Sequence, residues 1–421
     1  MTRQRIMDNV YLTYIPSEKF KTSFLSAQMV VPMTRESAPL NALLVNVLSR
    51  GTIRFPDMSA ISRHLDNLYG ARLEPVVRKK GENQLFGFLA SCVDDRLLPD
   101  GEKVLEPLAD LLGELFTAPA TKNGRLNGEY LKSERTNLVD LIRSEINDKD
   151  AYASFRLIEE MCQGEAYGLR RLGRVEDVEK VSVQKLNQYY LSVLPKARME
   201  LFYCGAAAES RVVGMLRRAL AALPRQGEIE LLPTLRREGN ETCRYVEESM
   251  DVTQGKLCIG FRTDSRDSAA TMLMNAMFGG TSNSKLFANV REKLSLCYYA
   301  GSTNHWKKGL ITVSSGIDFE NYQRAVDEIL AQVEALKNGE FAEFAVCKNS
   351  GASANSAEAQ ALVAKLQAHI TANYYTCTDE ILAGLGQMYV ADERFKKNID
   401  KYGEGTAEFT ANAIAVYTKK L

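Results

Sequence analysis

Histidine and cysteine, the residue types that most often bind metals or act as nucleophiles, form no evident site in this chain of 421 residues. The histidines are His64, His305 and His369, and none has a second histidine or a glutamate at metal-site spacing. A catalytic zinc ion takes three protein ligands, in many enzymes including two histidines of one helix. The sequence therefore argues against a histidine-based zinc site in this chain.

The eight cysteines are scattered along the chain and include no C-x-x-C pair. In a chain of this length, that distribution indicates reduced thiols in a cytoplasmic protein and does not indicate a disulfide framework. Cys297 stands beside Tyr298, but no histidine lies near it in the sequence to activate a thiol. We therefore do not expect Cys297 to act as a nucleophile.

The adjacent glycines Gly279 and Gly280 end a predicted helix. They lack the G-x-x-x-x-G-K-[ST] spacing of a phosphate loop, and the loop's glycines precede a helix instead of ending one. We interpret the pair as a helix stop and a place where two backbone segments approach closely. His305 and Trp306 are interpreted as the exposed tip of a hairpin.

The amino-acid composition of the chain limits the classes of function that it can have. The chain is 45% hydrophobic and 25% charged, the balance of a soluble globular protein. Its 53 basic and 53 acidic residues cancel, which gives no support to nucleic-acid binding. No apolar run reaches the roughly 18 residues of a membrane span. The N-terminus has no apolar stretch behind its charges, so we predict no signal peptide and a cytoplasmic protein.

Hydrophobic periodicity predicts the elements that must position any site. Before residue 223 we predict strands and helices in mixed order, namely strands over 10–15, 22–31, 72–78, 83–92 and 199–204, and helices over 39–48, 59–68, 98–116, 129–146, 151–162 and 183–193. Proline, glycine and charge over 223–242 predict a linker. After it we predict a second set of elements, namely strands over 243–248, 256–263, 299–303 and 310–314, a helix over 268–278, a helix leading to Tyr298, and helices from 321 to a last one over 411–421.

The second set of elements repeats the first. Several residues recur 229 positions later, namely Asn46 and Asn275, Gly51 and Gly280, Tyr69 and Tyr298, and Ala71 and Ala300. The repeat predicts an α+β fold of two tandem homologous units, each a mostly antiparallel sheet with helices on one face. We predict units over 1–222 and 243–421. The second shows no counterpart of the closing strand near residue 201, so either that strand is dispensable or the chain is trimmed.

One segment of the predicted second unit carries a family resemblance. Residues 278–298, FGGTSNSKLFANVREKLSLCY, resemble the second-domain signature of M16 (pitrilysin/insulinase-like) peptidases. That signature is a glycine-rich helix end, a small polar turn, an Arg-Glu-Lys helix and a tyrosine. With residues 142–162 and 68–82, the chain is similar to zinc-less subunits of the two-subunit bacterial type.

The resemblance implies roles for two residues. In the family, an arginine and a tyrosine seven residues later face the catalytic zinc of the first unit, and they match Arg291 and Tyr298. A guanidinium can hold substrate carbonyls, and a phenol can donate to the oxyanion of a scissile carbonyl. Gly279 and Gly280 are assigned to the substrate-binding surface beside them. In the alternative interpretation, Arg291 is a surface helix residue and Tyr298 a half-buried aromatic, as the equivalent position of Tyr69 suggests.

The family's zinc motif, H-x-x-E-H, is degenerate here. Aligned through Gly51, it falls on residues 42–46, where Ala42, Val45 and Asn46 replace the two histidines and the glutamate. Alanine and valine can neither bind zinc nor act as a base, and a lone asparagine oxygen is a poor zinc ligand. The resemblance therefore implies no metal in this chain.

The family's third ligand, a glutamate on a later helix, would fall near Leu141. Asp140 and Glu145 are close to that position. A single carboxylate cannot hold the metal without the histidines.

These considerations predict a non-catalytic subunit of an M16 metallopeptidase, inactive alone. It would pair with an H-x-x-E-H-bearing partner subunit that carries the zinc, and the two would enclose peptides in a chamber. The alternative is a peptidase-fold scaffold or peptide-binding protein with no proteolytic role, for which a homodimer is the simplest assembly. No residues in the sequence support an autonomous enzyme of another kind.

Overall fold

The chain folds into two units, each with its own β-sheet. The computed structural model describes residues 1–239, 242–338, 342–373 and 375–419. One unit comprises Met1–Gly239 with Lys307–Gly309, and the other Asn240–Trp306 with Leu310–Leu421. Parts of two predicted elements lie outside the described residues, namely residues 240–241 of the linker and 420–421 of the last helix. Residues 223–239 contain no helix or strand, and the domain bounds given above stay a prediction.

The first unit alternates strands and helices. Its strands are β1 Thr2–Met7, β2 Val10–Pro16, β3 Thr22–Pro32, β4 Arg72–Lys80, β5 Asn83–Val93, β6 Thr121–Lys122, β7 Arg125–Leu126 and β8 Arg198–Gly205. Its α-helices are α1 Ser37–Leu48, α2 Met58–Asn67, α3 Leu105–Thr117, α4 Gly128–Ser144, α5 Lys149–Met161, α6 Val175–Glu179, α7 Val183–Val193 and α8 Glu209–Ala219. Most bounds lie within a few residues of those predicted.

Six of these strands form one sheet in the order β1-β2-β8-β3-β5-β4. Only β2 and β8 pair in parallel, so the prediction of a mostly antiparallel sheet is confirmed. Alternating burial follows the pleat: Val10, Leu12 and Tyr14 of β2 point into the core. Helices α1 and α3 lie against the sheet, where Phe88 meets Phe116 edge-on with ring centroids 5.2 Å apart.

Side-chain caps fix several helix starts. Asp57 accepts a hydrogen bond from the Ala60 amide at the start of α2, and Ser182 accepts one from the Lys185 amide at the start of α7. Each such cap contributes about 1 kcal/mol to stability. The helix predicted over 98–116 instead begins at Leu105, and the positive φ of 52° at Asp100 prevents a continuous right-handed helix through that residue.

The second unit has a three-stranded antiparallel sheet in the order β10-β11-β9. Its strands are β9 Gly255–Arg262, β10 Cys297–His305 and β11 Leu310–Ile317. Its helices are α9 Ser268–Asn275, the π-helical turns π1 Ala276–Gly280 and π2 Leu286–Lys293, then α10 Tyr322–Asn338, α11 Ala342–Asn349, α12 Ala357–Asn373, α13 Asp379–Ala391, α14 Glu393–Ile399 and α15 Thr406–Thr418.

Three strands of the first sheet share the topology of the second sheet. In the first unit, β3 is followed by α1, α2, β4 and β5, and the strands pair in the order β3-β5-β4. In the second, β9 is followed by α9, π1, π2, β10 and β11, and the strands pair in the order β9-β11-β10. The predicted α+β fold of two homologous units is therefore confirmed.

The second unit departs from the prediction in two places. The strand predicted over 243–248 is wrong: these residues form no strand, and Tyr245 is 77% exposed. Its β-branched and aromatic residues have no neighbouring strand to pair with, and β-propensity acts through such pairing. The second departure concerns the helices, which were predicted to lie on one face of the sheet. Helices α11–α15 instead form a hydrophobic core of their own that includes Phe344, Leu366 and Ile414.

Candidate functional site

Helix α1, which spans the positions of the zinc motif, is buried inside the first unit. Ala42 is 0% and Val45 1% exposed, and both belong to the unit's apolar core, whereas Asn46 is half-buried. Helix α1 contains no charged residue, and α4, α6 and α7 pack against it. The positions that would hold the metal and the base are therefore filled by aliphatic packing.

The proposed third-ligand position does not complete a site either. Leu141 is 48% exposed and Asp140 is also exposed, while Ala42 and Val45 lie in the core. The buried carboxylate of α4 is Glu134, and Nη1 of Arg50 lies 3.1 Å from its Oε1. In the part of the chain that the structure describes, no three His, Cys, Asp or Glu residues group to hold a metal. The residues at the motif therefore do not fit a zinc ion.

A buried polar network lies beside the degenerate motif. Asn41 donates to Oε1 of Gln84 at 2.8 Å, and the Tyr189 hydroxyl donates to Oδ1 of Asn41 at 2.7 Å. Gln84 in turn donates to the carbonyls of Arg171 and Ala38. Burial raises the pKa of Tyr189, which keeps its hydroxyl protonated as a donor. Sequence reasoning missed this network, although an asparagine inside an apolar helix is a signal for one.

In the second unit, Arg291 lies on π2 and remains accessible. Its side chain is 41% exposed, and its guanidinium lies 4.6 Å from the ring centroid of Phe287. Nη1 of Arg291 is 3.3 Å from Oε1 of Glu292. A guanidinium stacked on a ring keeps its donors free at its edges. Arg291 can therefore still bind a carbonyl or carboxylate.

Tyr298 is the extra residue of a β-bulge. The pairing of β10 with β11 shifts register between Cys297 and Tyr299, and Tyr298 between them is 62% exposed. Ser295 just before the strand has a positive φ of 49°, which costs energy in a residue other than glycine. Bulges re-aim side chains and are frequent beside functional sites, as are π-helical turns. Arg291 and Tyr298 therefore both lie on local irregularities of the backbone, and Tyr298 is exposed there.

Tyr69, the repeat counterpart of Tyr298, has different surroundings. It follows α2 with a positive φ of 58°, and its hydroxyl donates to Oε2 of Glu102 at 2.7 Å. Tyr298 instead lies within β10. The two tyrosines share a position in the repeat but not a conformation, so Tyr69 does not show that Tyr298 is merely structural.

The two glycines of the pair differ in their exposure to solvent. Gly279 is buried, and a β-carbon there would lie 2.7 Å from the amide nitrogen of Ser302. The Ser302 hydroxyl donates to Oδ1 of Asn275 at 2.8 Å, which ties α9 to β10 beside the pair. Gly280 is exposed. The predicted close backbone approach is therefore found at Gly279, while a role in substrate binding stays a prediction for both.

The other residues considered from the sequence, Cys297, His305 and Trp306, are less suited to a catalytic or binding role. Burial raises the pKa of the Cys297 thiol, and the residue is 9% exposed, which disfavours a reactive thiolate. His305 lies with Nε2 3.3 Å from the Thr312 hydroxyl across the hairpin, and Trp306 is 40% exposed.

Sequence reasoning also missed a polar cavity of about 200 Å³ in the first unit. Asp95 accepts from the amides of Val104 and Leu105 and pairs with Arg211, which also binds Glu106 at 2.7 Å. The hydrogen bond from Arg211 holds the pKa of Glu106 below its ordinary value. These charges pair with one another, so we assign no ligand-binding role to the cavity.

Comparisons with known proteins agree with this picture. The family model of the peptidase M16 inactive domain matches residues 180–349. The probable inactive metalloprotease YmfF of Bacillus subtilis is 34% identical over 333 residues, which are 78% of each chain. A solved structure of a conserved protein from Enterococcus faecalis has 25% identity and a TM-score of 0.71, over 98% of this chain and 95% of that one. The peptidase M16 inactive domain from Pseudomonas fluorescens has 16% identity and a TM-score of 0.61, over 100% and 95%.

A second family model matches the helical end of the chain. It is the TipAS antibiotic-recognition domain, matched by residues 318–417. The HTH-type transcriptional activator mta of Bacillus subtilis is 46% identical over 63 residues, which are 15% of this chain and 24% of that protein. The chain thus spans about a quarter of that relative. Within the described residues, no helix is both long and apolar enough to cross a membrane.

Proposed function

Because the chain belongs to the M16 peptidase family, we propose that it is a non-catalytic subunit that pairs with a zinc-bearing, H-x-x-E-H-containing partner. In this role it encloses peptides with its partner. Arg291 binds substrate carbonyls and Tyr298 donates to the oxyanion, with Gly279 and Gly280 beside them. The zinc and the general base belong to the partner.

One contrast carries this proposal. The positions of the first unit that match the zinc motif, Ala42 and Val45, are buried among aliphatic side chains. In the second unit, Tyr298 is 62% exposed and Arg291 is half-buried with its side chain 41% exposed. A π-helical turn and a β-bulge are less stable than regular structure, so their presence at these two residues favours a functional reason.

The proposal is tested by purifying the tagged chain from its native host. We expect a stoichiometric H-x-x-E-H protein in the preparation, about one zinc ion per pair by elemental analysis, and cleavage of internally quenched peptides that a chelator abolishes. The chain purified alone should cleave nothing. Cleavage by the isolated chain, or a host preparation without such a partner, would contradict the proposal.

The alternative function, a scaffold or peptide-binding protein without a proteolytic role, predicts another outcome of the same experiment. The chain would then purify as a homodimer or with a partner that lacks the motif. It would bind an unfolded peptide in fluorescence anisotropy without cleaving it.

A second function is favoured for the helical end of the chain. Residues 318–417 match a domain described as antibiotic-recognising, and α11–α15 have a core of their own. We infer that this segment binds a small molecule of antibiotic type. Such a site would let the chain respond to a compound independently of any peptide chemistry.

Thermal unfolding of the full chain against a panel of antibiotics from different classes tests this inference. We expect at least one compound to raise the unfolding temperature, because a ligand that binds only the folded state stabilises it. Hydrogen exchange should then show protection between Ala342 and Thr418. Protection confined to other residues, or no stabilising compound, would contradict it.

A further inference from the structure

Arg225 of the first unit lies after α8 and has a guanidinium group without an acidic partner. Its Nη1 donates to the carbonyl of Ala197 at 2.7 Å. Nε and Nη2 are both shielded from solvent, and among the residues that the structure describes neither has a hydrogen-bond partner. Burial lowers the pKa of Arg225 to about 10, so the group stays charged at neutral pH. A buried charge of this kind is costly unless a counter-ion pairs with it.

The two nitrogens without partners form one edge of the guanidinium. Nε and Nη2 donate in the same direction from the planar group, so they match two oxygens of a carboxylate or of a phosphate. Other arginines of this chain bind a carboxylate through the same edge, namely Arg35, Arg96, Arg170, Arg211 and Arg394. The same edge of Arg225 is therefore suited to an oxyanion that the described residues do not supply.

Asn9 adds a buried acceptor without a donor beside the same stretch of chain. The residue is 8% exposed, and its Nδ2 donates to the carbonyl of Lys196 at 3.1 Å. Within the described part of the chain, its Oδ1 has no hydrogen-bond partner. Because Lys196 precedes Ala197 directly, Asn9 and Arg225 are bonded to neighbouring carbonyls. A ligand bound here would need acceptors for Arg225 and a donor for Asn9.

We propose that Arg225 and Asn9 bind inorganic hydrogen phosphate. Two of its oxygens would accept from Nε and Nη2 of Arg225, and its hydroxyl would donate to Oδ1 of Asn9. Sulfate has the same tetrahedral shape but carries no proton to donate at neutral pH. The site involves neither Arg291 nor Tyr298, and the inference goes beyond the proposed peptidase role.

The turn that contains Arg225 gives a small anion a way in. Gln226 and Gly227 are exposed. Two backbone hydrogen bonds hold the turn, from the Gln226 amide to the Pro195 carbonyl and from the Ile229 amide to the Lys196 carbonyl, each of 3.1 Å. Local opening of these bonds would admit the anion, and a bound anion would favour the closed turn. Phosphate should therefore slow hydrogen exchange at both amides.

Isothermal titration calorimetry of the full chain with sodium phosphate, at neutral pH and constant ionic strength, tests the proposal. We expect saturable binding that Arg225→Lys weakens about tenfold or more, because an ammonium group lacks the two-donor edge. Sulfate should bind about tenfold or more weakly than phosphate, since Oδ1 of Asn9 would stay unpaired. The matched control is Arg217→Lys, because the exposed Arg217 also donates to a backbone carbonyl, that of Ile6 at 3.0 Å. It should keep the wild-type affinity.

Three results would overturn the proposal. One is an absence of phosphate binding by the folded wild-type chain, the outcome if water alone satisfies Arg225 and Asn9. Another is binding that Arg225→Lys leaves intact, since the anion would then lie elsewhere. The third is equal affinity for phosphate and sulfate, which would exclude the hydrogen bond to Asn9. If Arg225→Lys fails to fold, hydrogen exchange of the wild-type chain decides, and unchanged exchange at Gln226 and Ile229 would refute the site.

Discussion

The hydroxyl of Tyr189 donates a hydrogen bond of 2.7 Å to Oδ1 of Asn41, one residue before the degenerate zinc motif. The bond joins α7 to α1 inside the first unit, and Asn41 continues it to Gln84. We expect Tyr189→Phe to lower the free energy of unfolding by about 1–3 kcal/mol, because a buried oxygen loses its donor. Urea denaturation followed by circular dichroism measures this change. The control Tyr322→Phe removes a hydroxyl from an exposed ring, and an equal loss in both variants would refute the network's role.

Glu159 should make stability depend on pH. Burial raises the pKa of this carboxyl, but hydrogen bonds from Arg170 and Arg156 outweigh burial and hold it below its ordinary value. A lowered pKa in the folded state means that folding favours the carboxylate. Its contribution is complete above the unfolded-state pKa of about 4.3 and is lost as the pH falls through the lower folded-state pKa.

The variant Glu159→Gln isolates this contribution. At pH 7 we expect the variant to be about 1.5–3 kcal/mol less stable than wild type, since it loses hydrogen bonds to a charged group. The gap should narrow as the pH falls below about 4, where the wild-type carboxyl also becomes neutral. Urea denaturation at several pH values gives both quantities. A gap that stays constant with pH would mean that the charge of Glu159 contributes nothing.

Gly279 should not tolerate a side chain. A β-carbon there would lie 2.7 Å from both the Ser302 amide nitrogen and Cδ1 of Leu286. We expect Gly279→Ala to cost about 1–3 kcal/mol, the usual effect of overpacking. Gly384 lies inside α13 with no atom within 4 Å of such a β-carbon, so Gly384→Ala should be neutral or slightly stabilising. Thermal unfolding compares the two, and a fully stable Gly279→Ala would contradict the close packing.

In the proposed complex with a zinc-bearing partner, Tyr298 and Arg291 should affect turnover. We expect Tyr298→Phe to lower kcat about 100-fold, the usual effect of removing one oxyanion donor. Arg291→Ala should mainly raise KM if the guanidinium holds substrate carbonyls in the ground state. Steady-state cleavage of a quenched peptide separates the two constants.

Tyr322→Phe is the matched control for Tyr298→Phe, since Tyr322 is 42% exposed on α10 of the same unit. It should leave both constants unchanged. Unchanged turnover in Tyr298→Phe would exclude the phenol from catalysis while leaving the pairing with a partner intact.

Local patterns predicted much of the fold. Helix α7 was predicted with the bounds it has, because Ser182 caps it and Leu186, Tyr190 and Val193 recur at helical spacing. Strand β1 was missed, because Thr-Arg-Gln-Arg shows no apolar alternation and pairing with β2 makes it a strand. Propensity is informative where an element carries its own pattern, and it fails where a distant neighbour decides.

The same distinction between local patterns and distant contacts applies to the candidate site. Residue types alone indicated that Ala42 and Val45 cannot bind zinc, but not that both lie in the core. The family resemblance drew attention to Arg291 and Tyr298, yet the π-helical turn and the bulge depend on backbone pairing that no local pattern encodes. Tyr189 and Asn41 are 148 residues apart, so their bond was beyond any window of sequence.

The packing of α1 also has a consequence for protein engineering. Introducing the family's motif residues by Ala42→His and Val45→Glu would force an imidazole and a carboxylate into an interior where both positions are at most 1% exposed. Burying unpaired polar groups costs several kcal/mol, a large part of the stability of a typical domain. A zinc site at these positions would therefore require the surrounding core to be redesigned together with the ligands.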